Sequence, residues 1–181
     1  MTVLILGVAL WWGAHLFKRL APARRAGMGD KGKGLVTVLV LASVVLMVLG
    51  YRAAEFVPVW EPPGFLVHVN NLLMLLALYL YAASGMKTAI TRVIRHPQLT
   101  AVKTWAVAHL LVNGDLASII LFGGLLAWAV VAVIVINRSE PAWVRPAPAP
   151  AKKEVMAVVG TIVVVVIVML IHNWLGVPPW G

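Results

Sequence analysis

Asp115-Leu-Ala-Ser-Ile-Ile-Leu-Phe-Gly-Gly-Leu-Leu-Ala-Trp-Ala-Val-Val-Ala-Val-Ile-Val-Ile136 decides the fold, because after its opening aspartate it carries no charge. A helix that crosses the hydrocarbon core of a bilayer needs about 20 mostly apolar residues, with roughly 17–25 tolerated. The same ruler finds five further runs, at about 2–20, 34–54, 65–84, 97–113 and 155–175. Lys103, Thr104 and His109 lower the hydropathy of the run at 97–113. The very short Asn113-Gly114-Asp115 turn then joins it to the opening run as a helical hairpin. The 181 residues are 62% hydrophobic with a mean hydropathy of +0.96, whereas soluble domains hold roughly 45–50% apolar residues. The chain therefore reads as an all-α polytopic membrane bundle of about six transmembrane helices, one domain over residues 1–181.

Charge orients that bundle. The net charge is +9, but the basic residues sit in short loops beside apolar runs rather than on a soluble face, which argues against a nucleic-acid partner. Lys18, Arg19, Arg24, Arg25, Lys31 and Lys33 fall in the first loop. Lys87, Arg92 and Arg95 fall in the third, and Arg138, Arg145, Lys152 and Lys153 in the fifth. Arg52, Glu55, Glu61 and Asp115 lie on the other side. The positive-inside rule then places both termini outside, in the periplasm of a bacterial inner membrane, with the lipid bilayer as the first partner. Met1-Thr2-Val3-Leu4 lacks a basic leader and no small-residue cleavage site follows, so the first helix is expected to stay in the mature protein.

The chain has no cysteine, which excludes disulfides, thiolate ligands, iron–sulfur clusters and cysteine nucleophiles. Residues 21–34 read as a basic, glycine-rich loop. Pro141 and Pro146-Ala-Pro148-Ala-Pro150 mark a semi-extended linker. Neither can fold alone, so any chemistry lies in the bundle or at its edge.

Polar side chains inside hydrocarbon are expensive and usually mark a site. At about 100° per residue, Ala101, Trp105, His109 and Asn113 share one stripe. A rise of about 1.5 Å per residue puts His109 roughly 18 Å inward from Pro97, and His15 roughly 20 Å from the outer end of the first helix. The two differ in depth by roughly 8–10 Å, so a flat cofactor set edge-on between facing helices can meet both, as a bis-histidine haem would. His68, Asn71, Asn113, Asp115, His172 and Asn173 gather near the outer ends. They can form a second polar cluster that binds metal, relays protons or hydrogen-bonds a substrate.

Structural readings stand beside these. A lone intramembrane histidine often bonds a neighbouring helix. His96 before Pro97 suits a capping or headgroup role. Arg92 and Arg95 follow simply from the positive-inside rule. Trp11, Trp12, Trp60, Trp143, Trp174 and Trp180 fall near predicted interfaces, as an aromatic belt does.

Ala14-His15-Leu16, Arg92-Val-Ile-Arg95-His96-Pro97-Gln98, Trp105-Ala-Val-Ala108-His109-Leu110, Asn113-Gly114-Asp115 and Ile171-His172-Asn-Trp-Leu-Gly176 resemble the NnrU family over nearly the whole chain. Bacterial members of that family are associated with denitrification, and the 15-cis-zeta-carotene isomerase of plants and cyanobacteria is a relative. The resemblance implies a multi-pass helical protein holding haem b on two histidines, which match His15 and His109. The isomerase has a cysteine three residues before its second ligand, implicated in a ligand switch; Ala106 stands there in this chain.

Four functions compete. The first is a haem b membrane protein supporting nitrite and nitric oxide reduction by electron transfer, sensing or maturation, with reductase components as partners. In it Lys18, Arg19, Arg92 or Arg95 would pair the haem propionates. The second is a haem-dependent carotenoid cis–trans isomerase. The third is an isoprenylcysteine-type methyltransferase, suggested by arginine-histidine-proline but lacking the tyrosine, glycine and downstream acids expected of it. The fourth is a cofactor-free assembly subunit whose polar residues lock helices together.

Overall fold

The computed structural model describes residues 1–180. Apolar sequence folds into helix after helix, because a chain in hydrocarbon must satisfy its backbone polar groups internally. The elements are α1 (Thr2–Leu20), α2 (Pro22–Gly27), α3 (Gly29–Arg52) and α4 (Leu66–Met86). A 3₁₀ turn at Ala89–Arg92 leads to α5 (Pro97–Val112). Then come α6 (Leu116–Ser139) and α7 (Ala151–Trp174). A π-turn at Ile119–Gly123 interrupts the α-helical hydrogen bonding of α6.

Five of these helices, α1, α3, α4, α6 and α7, are long and apolar enough to span a bilayer, which makes the chain a multi-pass membrane bundle. The sixth expected span is short. α5 has 16 residues, about 24 Å at 1.5 Å per residue, against a hydrocarbon core of about 30 Å. Pro97 opens it, since proline suits the first turn and disfavours helix in the residue before it. At its other end the Asn113 side chain folds back onto the His109 carbonyl at 2.8 Å and the backbone turns extended.

The basic stretch at 21–34 is not a loop. It forms α2 and the first turns of α3, because arginine and lysine are good helix formers. The Arg25 guanidinium holds the Gly29 carbonyl at 3.1 Å, and Lys33 pairs with Asp30 at 2.9 Å. The helical path breaks at Ala21, φ −134°, and at Gly29, φ +52°, the latter in the left-handed region that glycine enters without penalty.

The long helices stand in a row, in the spatial order α3, α1, α6, α5, α4, α7, each packed chiefly on the next. The outer members α3 and α7 turn valine and leucine outward, as lipid-facing helices do. Small residues set the closest approach, as in other membrane bundles. At Gly50 an added Cβ would overlap the backbone of Leu4, and at Gly7 it would lie 2.7 Å from the Met47 amide nitrogen. Gly50→Ala is therefore expected to push α1 from α3 and cost about 1–3 kcal/mol, read as a lower unfolding midpoint in mild detergent. Gly160→Ala, with open space around it and a better helix former in its place, should not lower the midpoint.

Candidate functional site

The same local unit occurs twice. Trp11 and His15 on α1, and Trp105 and His109 on α5, are four residues apart, so each pair stacks on one helix face. Nδ1–H of His15 donates to the Trp11 carbonyl at 3.0 Å, and Nδ1–H of His109 to the Trp105 carbonyl at 3.0 Å. In a neutral ring that bond leaves the lone pair on Nε2, the arrangement that orients a metal-binding imidazole.

Both units face α6. The His15 ring lies 4.0 Å from Trp11 and 4.9 Å from Trp128 between centroids. His109 lies 5.2 Å from Trp105 and stacks on Phe122 at 4.5 Å. Phe122 and Trp128 are separated along α6 by about 9 Å of helical rise, the offset in depth that the helical ruler assigns to the two histidines. Phe122 belongs to the π-turn, and such turns recur at functional sites because they re-aim side chains. Trp12 crosses from α1 to donate to the Gly124 carbonyl at 3.0 Å, just past that turn. Trp11 and Trp12 therefore pack against the core clusters rather than in an interfacial belt.

Both histidines are half-buried among apolar and aromatic side chains. Among the described residues no three His, Asp or Glu side chains gather as metal ligands. A bare transition metal would find at most two protein donors, whereas haem brings four nitrogens of its own and asks the protein only for axial ligands. The donor set fits haem.

Of the four cations expected to pair haem propionates at the basic end, two are committed elsewhere. Arg19 pairs with Glu140 at 2.6 Å. Arg95 donates to the backbone carbonyls of Glu140, Pro141 and Ala142. His96 makes no capping bond; its Nε2 meets Oδ1 of Asn137 at 2.8 Å and joins α5 to the end of α6. Lys18 and Arg92 are exposed. The Arg19 guanidinium holds the Glu140 carboxyl below its ordinary range, first by its hydrogen bond and then by its charge. A depressed carboxylate pKa gives a tie that is present at neutral pH and lost as pH falls below the usual value of about 4.3. Protection of the Glu140 amide, taken relative to its intrinsic exchange rate at each pH, should accordingly fall at acid pH in the native protein and show no such step in Glu140→Gln. The pair is exposed, so its effect on overall stability is small.

At the other end the expected polar group divides. Asn113 caps α5, and the Asp115 carboxylate accepts from the Ser118 amide at 2.9 Å and its hydroxyl at 2.5 Å. Tyr51 OH, 2.8 Å from the Ser118 hydroxyl, ties in the end of α3. Asn71 instead donates to the Pro179 carbonyl, and Asn173 accepts from Trp180, so both hold the C-terminal segment. Nδ1–H of His172 donates to the Val168 carbonyl at 2.8 Å, and His68 is exposed. Asp115→Ala should cost about 0.5–2 kcal/mol through loss of the cap, seen as earlier thermal unfolding, with Asp115→Asn recovering most of it. A cavity of about 550 Å³ opens beside this turn, walled by Phe56, Trp60, Glu61 and Val112.

Sequence reasoning missed Phe122 and Trp128, the aromatic wall behind both histidines. Trp128 gave a signal, since it sits in the middle of an apolar run where no interface explains it. Tyr51, Ser118, Asn137 and Glu140 were also missed, and only the assembled bundle brings them to their partners.

No curated protein matches the chain. No solved structure matches it. The family model described as NnrU protein matches residues 3–179, and the chain, with its paired tryptophan–histidine units, belongs to the NnrU family.

Proposed function

We propose that this protein binds haem b between His15 and His109 and supports nitrite and nitric oxide reduction, as an electron-transfer, sensing or maturation component of a bacterial inner membrane. The observation that carries the reading is the repeated unit: two imidazoles on α1 and α5, each with Nδ1 tied to its own helix and each packed on α6. His15 and His109 would hold the haem, which would supply one-electron chemistry.

The chain's own residues would do the rest. The Trp11 and Trp105 carbonyls fix each ring's tautomer and raise its basicity. Trp128 and Phe122 would pack behind the two imidazoles and set their orientation. Of the four cations expected to pair the haem propionates, Lys18 and Arg92 would be the ones left for them, since Arg19 and Arg95 already hold the end of α6. Ala106 is fully buried at the position where the isomerase carries cysteine. No thiolate can replace a histidine there, which favours the denitrification reading over the isomerase.

The test is nitric oxide consumption by cells respiring nitrite without this protein, complemented with the native chain or with His109→Ala. Native complementation should restore consumption and the variant should not. Full restoration by His109→Ala would overturn the proposal.

A further inference from the structure

Two buried donors beside His15 have no acceptor among the described residues. Trp128 is 6% exposed, and neither its indole N–H nor that of half-buried Trp11 meets a hydrogen-bond partner. Both indoles pack against His15 and lie 5.3 Å from each other. The adjacent Trp12 donates to the Gly124 carbonyl, so the fold does supply an acceptor to one indole in this layer. Leaving a buried donor unpaired costs about 1–3 kcal/mol, and hydrocarbon offers no water to relieve it.

Depth limits the chemistry of the missing acceptor. Trp11 is the middle residue of α1 and Trp128 lies near the middle of α6, so both donors sit near the centre of the bundle's thickness. An ionised acceptor at that level is costly without a cation. Arg19 and Arg95 are committed to Glu140 and to backbone carbonyls at the basic end. The acceptor that suits this place is an uncharged oxygen.

We infer that Trp11 and Trp128 donate their indole N–H groups to an uncharged oxygen acceptor on a ligand seated at His15. Two lipid-soluble sources carry that chemistry: a protonated propionic acid group of haem, and a ring carbonyl of a quinone-class lipid. The first source rests on the haem reading above; the second does not.

The experiment uses the full chain in detergent with its eight tryptophans labelled at the indole nitrogen. Signals are assigned by their loss in Trp11→Phe and Trp128→Phe, and haem or a short-chain benzoquinone is then added. The Trp11 and Trp128 signals should move downfield with at least one probe. Each phenylalanine variant should weaken binding of that probe about five-fold, the effect of one lost hydrogen bond. A shift with haem alone, joined by the five-fold loss of haem affinity in each phenylalanine variant, assigns the propionic acid, because haem's ring current alone moves nearby signals; a shift with the quinone assigns the carbonyl lipid. A Soret band with neither signal moved by either probe overturns the inference while the haem reading stands. A quinone-induced shift without a Soret band overturns the haem reading while the inference stands. No shift and no Soret band overturns both. If a variant fails to fold, the wild-type spectrum decides: two indole signals move, or the inference fails.

Discussion

Gly114→Ala is expected to detach the loop before α4 from the α5–α6 turn and to lower unfolding free energy by about 3 kcal/mol or more, at the upper end of overpacking effects. The Gly114 carbonyl accepts from the amides of Val59 at 2.8 Å and Trp60 at 3.0 Å, and the Leu116 amide donates to the Val57 carbonyl at 2.9 Å. These bonds hold the Trp60 carbonyl so close to Gly114 that a methyl group would overlap the oxygen. The clash is with backbone, which cannot rotate away as a side chain can. Relief requires breaking the pairing, at about 1 kcal/mol for each bond lost. Gly114 does not have a positive φ, so space and not conformation demands glycine here. Thermal unfolding in mild detergent and amide exchange at residues 57–60 would read the effect. Unchanged exchange in Gly114→Ala would contradict it, while Asn113→Ala, losing one side-chain bond, should fall well short of it.

That turn shows where sequence reading stops. Asn113-Gly114-Asp115 is visible as a short polar connection, and the caps by Asn113 and Asp115 follow from local rules. The close approach of Trp60 does not, because it depends on a segment some fifty residues earlier in the chain meeting the turn in space. The apolar runs were legible because a bilayer imposes a length on every crossing helix. Residues 97–113 lie at the short end of that ruler, and α5, clipped by Pro97 and Asn113, ends one residue shorter than the run. Glycine and positive charge in residues 21–34 suggest a loop, although arginine and lysine carry helix well and the path leaves helix just at Ala21 and around Gly29.

The histidines were legible for a different reason. Intramembrane imidazoles stand out against hydrocarbon, and helical rise alone assigns their depths. Their aromatic partners on α6 were not, because Phe122 and Trp128 look like ordinary apolar residues until the π-turn and the row of helices set them beside His109 and His15. The outer polar residues looked like one group because they share a depth. Depth says nothing of position around the bundle, and Asn71 and Asn173 instead hold the C-terminal segment.

The largest functional effect is expected at the two histidines. Each would contribute one of only two protein ligands, so losing either should weaken haem binding by at least about 100-fold, beyond the 10–100-fold typical of groups that merely orient a ligand. Lys31→Gln, altering an exposed cation of α3 outside the proposed site, should leave binding largely intact. The most direct measurement is the visible spectrum of protein purified in mild detergent after expression with ample haem. The native chain should show the Soret band of low-spin haem with two imidazole ligands, and His15→Ala and His109→Ala should each lose it or shift it to a single-histidine form. A native chain with no Soret band, or an unaltered band in both variants, would contradict the account.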